Sequence, residues 1–309
     1  MPTMSAPVEI LTNHPVQTWF GCGGPALRFA RPGSVEALRA CLAIDPDLRI
    51  LGDGANLLVA DGGVKELVVS LNSGDFGQWS VTQTPTGGII RAGAGVNLPK
   101  LILEAGRLGL GGLEALGGIP ASVGGAVVMN AGGNFGQTGD TVHAVEGLTR
   151  QGQPVSLRRN QIDFTYRHAR FGEHKGLVIT HVEFKLKKAD PDALRDRLKE
   201  VMAYKKKTQP LADHSAGCFF KNPTLREDLP GIAVAGSKIS AGMLIDKAGC
   251  KSMRVGGASV SPQHANFVIA DKGCTAADIL ALMRQVRDKV KAAFNVTLEN
   301  EVVIWGASL

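Results

Sequence analysis

The chain has 309 residues, of which 44% are hydrophobic and 20% charged, with a formal net charge of +6. That is material for two or three ordinary globular domains, and it excludes a disordered chain or a small cystine-stapled scaffold. The basic excess is spread out. Its one dense run is Lys205-Lys206-Lys207 and aromatics are 5% of the residues, so a nucleic-acid face is not expected and a local anion site is. The five cysteines form no CxxC pair and are odd in number, which argues against a disulfide framework and against a metal site. Met1–Thr12 lacks a basic segment followed by an apolar core, so no secretory signal is expected there. Leu108–Ala131 is the least polar stretch. It is rich in glycine, carries Glu114 and is interrupted by Pro120, as a tightly turned loop would be and a membrane span would not. Together these features describe a cytoplasmic protein with neither a nucleic acid nor a membrane as partner.

In chain order, Ser34 is placed to cap a helix running through Cys41, with Glu36 in its first turn where the helix dipole favours an anion. Short β-prone runs follow at Leu48–Leu51, Leu57–Ala60 and Glu66–Leu71, divided by Gly-Asp-Gly and Asp-Gly-Gly turns. Gly88–Ala92 reads as a strand, and a helix is expected from Asn97 to about Leu108. Leu177–Phe184 alternates as a strand with one buried face. Asp190-Pro191 opens a helix with proline in the tolerated first turn, ending in the lysine run. Thr275 caps a long amphipathic helix whose stripe is Ile279, Leu280, Met283, Val286, Val290 and Phe294. Val296–Trp305 reads as a last strand. The pattern predicts an α+β fold in three parts: 1–80 and 81–207 as two lobes, and 208–296 as a C-terminal domain, with the strand within 297–309 returning to the second lobe.

Residues 109–133 contain nine glycines, and Leu51–Leu58 is a second glycine loop. Glycine lets a backbone approach a ligand closely and turn successive N–H groups towards an anion. Neither loop is a P-loop, because no Gly-Lys-Ser/Thr follows, and Gly93-Ala94-Gly95 lacks the third glycine of a Rossmann fingerprint. The pair suits a dinucleotide pyrophosphate cradle of another kind. Gly21-Cys22-Gly23-Gly24-Pro25-Ala26, Leu51–Val59, Gly117–Gly125 and Met129-Asn130-Ala131-Gly132 resemble the FAD-binding half of the UDP-N-acetylenolpyruvoylglucosamine reductase family. That half is similar to the wider flavoproteins of the p-cresol methylhydroxylase type. The resemblance continues in order through Tyr166-Arg167, Ser215–Pro223, Gly256-Gly257-Ala258, His264–Phe267 and Leu298–Val302.

The resemblance implies a two-lobed FAD-binding region, a C-terminal α+β substrate domain, non-covalent FAD, and NADPH as hydride donor. The substrate would be a UDP-sugar bearing an enolpyruvyl ether, reduced to the lactyl ether of the peptidoglycan precursor. Residues implied for FAD are Gly52, Asp53, Gly54, Ala55, Asn56 and Leu57, together with Gly118, Ile119, Pro120, Ala121, Ser122, Gly124, Gly125 and Asn130. Arg167 falls at the position of a carboxylate-binding cation, suited by its planar fork. Read by residue type alone, it is a surface ion-pairing arginine. Glu301 matches an active-site acid, although a glutamate entering an apolar strand is also an ordinary edge charge. Cys218 stands where better-known members have the serine that donates a proton. A thiol, with an ordinary pKa of about 8.5, releases a proton far more readily than an alcohol, yet a lone cysteine is equally a small buried hydrophobe.

Tyr166, Lys207, Asn222 and His264 are implied substrate contacts, with Lys205 or Lys206 replacing Lys207 if the register slips. The other cysteines and histidines are assigned to packing or surface. The direct passage from Phe184 to Asp190 leaves no room for the inserted tyrosine loop of the longer subtype. Two other readings keep the scaffold: an FAD oxidase or dehydrogenase acting on another substrate, and a non-catalytic UDP-sugar-binding protein.

Overall fold

The computed structural model describes residues 8–309, so the first seven residues of the stretch read as lacking a signal lie outside the described residues. The chain forms two compact units. The first comprises the residues up to His14 with Ala26–Asp53 and Lys65–Lys205, and the second comprises Pro15–Pro25, Gly54–Val64 and Lys206–Leu309.

In the first unit, Ile10–His14 pairs antiparallel with Ala26–Ala30, and Arg49–Leu51 runs parallel to Val68–Ser70. Helix α1 (Val35–Ile44) belongs to this layer. Ser34 accepts from the Ala37 amide at 3.2 Å, and Leu38, Cys41 and Leu42 form the buried stripe. The larger sheet is antiparallel. Val178–Lys188 lies at its centre, between Val142–Leu148 and Gly87–Gly93, with Pro154–Arg158 and Trp79–Thr84 at the outer positions. Its central strand reads as almost unbroken burial from Val178 to Val182 because both faces are covered. Helix α2 (Leu98–Arg107) starts at Asn97, whose side chain accepts from the Lys100 amide. Helix α3 (Val123–Val128) starts at Ser122, and helix α4 (Pro191–Thr208) follows the central strand after just Ala189 and Asp190. Strand therefore leads directly into helix, as the shorter subtype requires. Ile90, Leu98, Leu101, Val123, Val182 and Phe184 are members of the continuous core of this unit.

The second unit is built on helices α5 (Ala241–Lys247) and α6 (Ala276–Phe294), with a three-stranded sheet of Arg254–Val255, Ala258–Val260 and Val268–Ala270. Thr275 and Asp278 form a reciprocal capping box on α6. Asp61 adds a second cap, its two carboxylate oxygens accepting from the Ala276 and Ala277 amides at 2.9 Å each. Ile279, Leu280, Met283, Val286 and Val290 are buried, as the amphipathic stripe predicts, and Phe294 packs against them. The last strand is shorter than its β-prone run, Val303–Trp305, and pairs in parallel with Leu57–Val59. The sequence places that terminal strand against the second lobe, whereas the contacts place it in the unit of the C-terminal domain, together with Gly54–Val64. No helix of the described residues is long and apolar enough to cross a membrane.

Candidate active site

In the first unit the two glycine loops meet. A Cβ on Gly52 would stand 2.7 Å from the Ser122 hydroxyl, so a side chain there would have to displace the hydroxyl that caps α3. Asn97 donates to the Asp53 carboxylate at 3.3 Å, and burial raises the pKa of Asp53 above the usual carboxylate range, with the Asn97 hydrogen bond opposing the shift. The loop through Ala121 is held by backbone bonds from Leu98 N to Ala121 O and from Val123 N to Val96 O. Ile119 closes a turn onto Leu116 O.

Gly124 and Gly125 differ from the sequence expectation in how they serve the loop. The Gly124 amide donates to Ala94 O at 2.8 Å and the Gly125 amide to Ser122 Oγ at 3.3 Å, so both are engaged inside the protein. A Cβ on Gly124 would meet the Ala94 methyl at 2.8 Å, while Gly125 is exposed and has just the Ser122 hydroxyl nearby. Gly124 is the packing-critical one of the two. The approach of Gly52 to Ser122 suits a loop pair whose backbone amides and serine hydroxyl could face the phosphates of a dinucleotide.

Asn130 was expected among the cofactor contacts. It is 1% exposed, and its amide donates to Thr165 O and Gln137 Oε1 at 2.9 Å while accepting from Gly139 N at 3.0 Å. It therefore braces the hairpin that carries Tyr166 and Arg167. That hairpin pairs Ile162–Thr165 with His168–Phe171, leaving Tyr166 and Arg167 as its two-residue loop. Arg167 has φ +57°, a left-handed conformation unusual outside glycine, and its guanidinium lies over the Tyr166 ring at 5.1 Å.

Beside this hairpin is Lys205. It is 9% exposed, its stem lies against Gly118, and its pKa is lowered to about 8, first by burial and then by the Arg167 charge. The Arg167 charge therefore reaches the buried Lys205 ammonium and disfavours its protonation. Lys207, the lysine the sequence singled out, is exposed and belongs to the other unit, where its carbonyl accepts from Gln263 at 3.2 Å. Tyr204 leads elsewhere, bonding Asn134 through its hydroxyl at 2.7 Å.

In the second unit Cys218 and Glu301 come together on adjacent backbone ribbons. Cys218 bridges Phe267 and Phe220 bridges Asn300. The Glu301 amide donates to Phe219 O at 2.7 Å and Lys221 N to Glu299 O at 2.8 Å. Both residues are half-buried, and the neighbouring Phe219 and Phe220 are buried. Gly217, at φ +81°, supplies the turn that brings Cys218 into the ribbon. Asn56, expected to touch the cofactor, directs its side-chain amide to Glu301 O at 3.1 Å, and its own carbonyl accepts from Val303 N. Gly54 sits in the same unit, its carbonyl accepting from Trp19 N, and Leu57 begins the strand paired with Val303.

Asn222 caps α5 by accepting from the Ala241 amide at 2.9 Å. His264 accepts the Asn266 amide on Nδ1 at 3.2 Å, which leaves its ring proton on Nε2, and burial lowers its pKa. Sequence reasoning assigned no separate role to Asn266, which is 2% exposed and hydrogen-bonded through its side chain to Phe220. The available signal was an asparagine inside the apolar run Ala265–Ala270, a position where polar residues are disfavoured unless bonded.

Residues 209–305 match the family model "UDP-N-acetylenolpyruvoylglucosamine reductase, C-terminal domain", and residues 26–158 match an FAD binding domain. A UDP-N-acetylenolpyruvoylglucosamine reductase of Moorella thermoacetica is 41% identical over 98% of this chain and 95% of its own length. One from Heliobacterium modesticaldum is 39% identical over 97% of this chain and 90% of its own. The crystal structure of the reductase from Thermus caldophilus superposes with a TM-score of 0.77 at 38% identity, covering 96% of this chain and 98% of that one.

Proposed function

Because the chain belongs to the UDP-N-acetylenolpyruvoylglucosamine reductase family, we propose that it reduces the enolpyruvyl ether of UDP-N-acetylglucosamine to the lactyl ether of UDP-N-acetylmuramate, with NADPH as the source of hydride. It is a flavoprotein oxidoreductase of peptidoglycan precursor synthesis, and its two parts are an FAD-binding region and a C-terminal domain of the reductase family. The observation that carries this reading is the match along nearly the whole chain to reductases of this one activity. The Gly52 and Gly118–Ser122 loops would hold FAD, which when bound would supply hydride to the terminal methylene of the substrate.

The rest of the chemistry falls to side chains. Charge develops on the substrate carboxylate as an enolate, and a fixed cation there acts where charge appears in the transition state. Arg167 takes this role, with Tyr166 beneath it. Lys205, buried beside Arg167, takes the anion-binding role that the sequence reading gave to Lys207. Cys218 gives its proton to the carbon bearing the carboxylate, and Glu301, on the neighbouring ribbon, polarises the enol. Asn222 and His264 contact the substrate, His264 offering its Nε2 proton.

The test is optical. The purified protein should show flavin bands that NADPH bleaches without oxygen and that UDP-N-acetylglucosamine enolpyruvate restores, with a product two hydrogens heavier by mass spectrometry. A flavin that NADPH leaves oxidised, or oxygen uptake with simple alcohols in place of that reoxidation, overturns the reading.

A further inference from the structure

Two successive amides of the Cys218 segment turn the same way. Phe219 N donates to the Asn266 carbonyl at 2.9 Å, and Phe220 N donates to the Asn266 side-chain oxygen at 3.0 Å. In a regular strand neighbouring N–H groups point to opposite edges, so the ribbon is kinked directly after Cys218, in the manner of a bulge. The kink needs a partner that a second strand cannot supply, because the neighbouring chain turns away at His264, where Phe267 N closes onto His264 O at 2.9 Å.

Asn266 fills that gap. Its side-chain amide has the same donor and acceptor as a peptide group, and it lies across the Phe220 peptide. Nδ2 donates to Phe220 O at 2.7 Å while Oδ1 accepts from Phe220 N. Its backbone N–H is bonded to His264 Nδ1 and its carbonyl to Phe219 N. Each of its four polar groups is engaged, and the residue is 2% exposed. On the far edge of the same ribbon Phe219 O accepts from Glu301 N. The backbone carbonyl of Asn266 therefore holds the amide that follows Cys218, and its side chain holds the next amide, whose own peptide carbonyl, Phe219 O, accepts from Glu301 N.

We infer that Asn266 is a positioning residue for proton delivery, clamping the Phe220 peptide so that the Cys218 thiol and Glu301 keep a fixed register. This rests on Cys218 being the proton donor, as proposed above.

The experiment uses the FAD-loaded protein with Asn266→Ala. Asn266→Asp serves as the milder variant should the first fail to fold, since it keeps the acceptor for Phe220 N and loses just the donor to Phe220 O. Flavin reduction by NADPH should stay within about twofold of the parent. Reoxidation by UDP-N-acetylglucosamine enolpyruvate should slow by roughly 10- to 100-fold, at the low end of what loss of a general acid does. In the double variant with Cys218→Ala there should be no further loss, because residues acting through one another are not additive.

A readout apart from turnover is the rate at which iodoacetamide labels Cys218, followed by peptide mass spectrometry without substrate. It should change by severalfold in either Asn266 variant while labelling of Cys22 does not. Equal slowing of both half-reactions, or full additivity with Cys218→Ala, overturns the inference. Normal reoxidation in Cys218→Ala alone removes the donor assignment. Unchanged labelling of Cys218 in Asn266→Asp overturns the positioning whatever the donor proves to be.

Discussion

The hairpin that presents Arg167 and the ribbon that presents Cys218 reach similar ends by different means. Each is braced by a buried asparagine whose amide bonds to backbone one or two residues away: Asn130 to Thr165 O, Asn266 to the Phe220 peptide. Beyond that they diverge. The arginine sits at a left-handed position of a two-residue turn, over an aromatic face and beside a second buried cation. Repulsion and backbone strain are therefore built into the protein before any ligand arrives. The thiol sits in a ribbon joined by backbone bonds on both edges, without left-handed strain at Cys218 itself. On the function proposed, the first region has to place charge and the second has to keep register. Substitutions in the first region should accordingly disturb binding and pH response along with reoxidation by substrate, and those in the second the rate of that one step alone.

The largest effect is expected at the thiol. In Cys218→Ala the flavin should be reduced by NADPH at the parental rate, yet be reoxidised by substrate roughly 10²–10⁴-fold more slowly, the usual loss when a general acid is removed. Cys218→Ser should restore much of the rate, because a hydroxyl at the same register can still deliver a proton. Stopped-flow absorbance of the flavin separates the two half-reactions. Parental reoxidation in Cys218→Ala would erase the contrast between the two regions and move the proton source to Glu301 or water.

Next in size is the pH response of the cation pair. Lys205 titrates at about 8 in the empty protein, pushed down by burial first and by Arg167 second. The diphosphate and carboxylate of the substrate are ionised throughout the relevant range. Below pH 8 the lysine is charged and affinity for the oxidised holoenzyme should be flat. Above it the cation is lost, and the dissociation constant should rise by up to about tenfold per pH unit until the bound-state pKa is reached. The sign for folding is the reverse. An unfolded lysine keeps its proton to about 10.4, so the unfolded chain binds more protons between those values and the empty protein should gain stability as pH rises through them. Calorimetric titration of the substrate analogue from pH 7 to 9.5 checks the first statement and Lys205→Met should flatten it. An equally steep rise in that variant would show that the charge lies elsewhere.

Much of this was readable from the chain because its signals were local. Ser34, Asn97 and Thr275 announced helix starts that the structure has at those residues, and the stripe of α6 followed from spacing alone. The short passage from strand to helix at Ala189-Asp190 was legible for the same reason. What the sequence could not convey was where side-chain amides point. Asn56 and Asn130 lie in glycine loops and read as cofactor contacts, yet their amides hold Glu301 and Thr165. Three adjacent lysines cannot be ranked without a helix phase and a wall to bury one of them, so the burial of Lys205 against Gly118 and its coupling to Arg167 left no mark on the sequence. The terminal strand was misjudged because its partner, Leu57–Val59, lies some 245 residues upstream, as the Asn56–Glu301 separation shows. Non-local pairing leaves no mark on either strand alone.

The smallest effect sharpens the comparison most, because it separates strain from charge at one residue. Arg167 at φ +57° holds a conformation that costs an L-residue roughly 1–2 kcal/mol and costs glycine almost nothing. Arg167→Gly and Arg167→Ala remove the same guanidinium, together with its contact over Tyr166, and both should slow reoxidation by substrate while sparing reduction by NADPH. Their stabilities should differ. Glycine relieves the turn, and its greater freedom in the unfolded chain offsets part of that gain, by roughly 0.4–1 kcal/mol. The glycine variant should therefore come out more stable than the alanine variant by about 0.5–1 kcal/mol, measured as the shift in urea midpoint at constant m-value. Removing the guanidinium also takes away the repulsion on Lys205, so the pKa of that lysine should rise in both variants alike. Equal stability in the two would mean that the turn relaxes around alanine and stores no strain. The Arg167 hairpin would then be held by its asparagine alone, in the same way as the Cys218 ribbon.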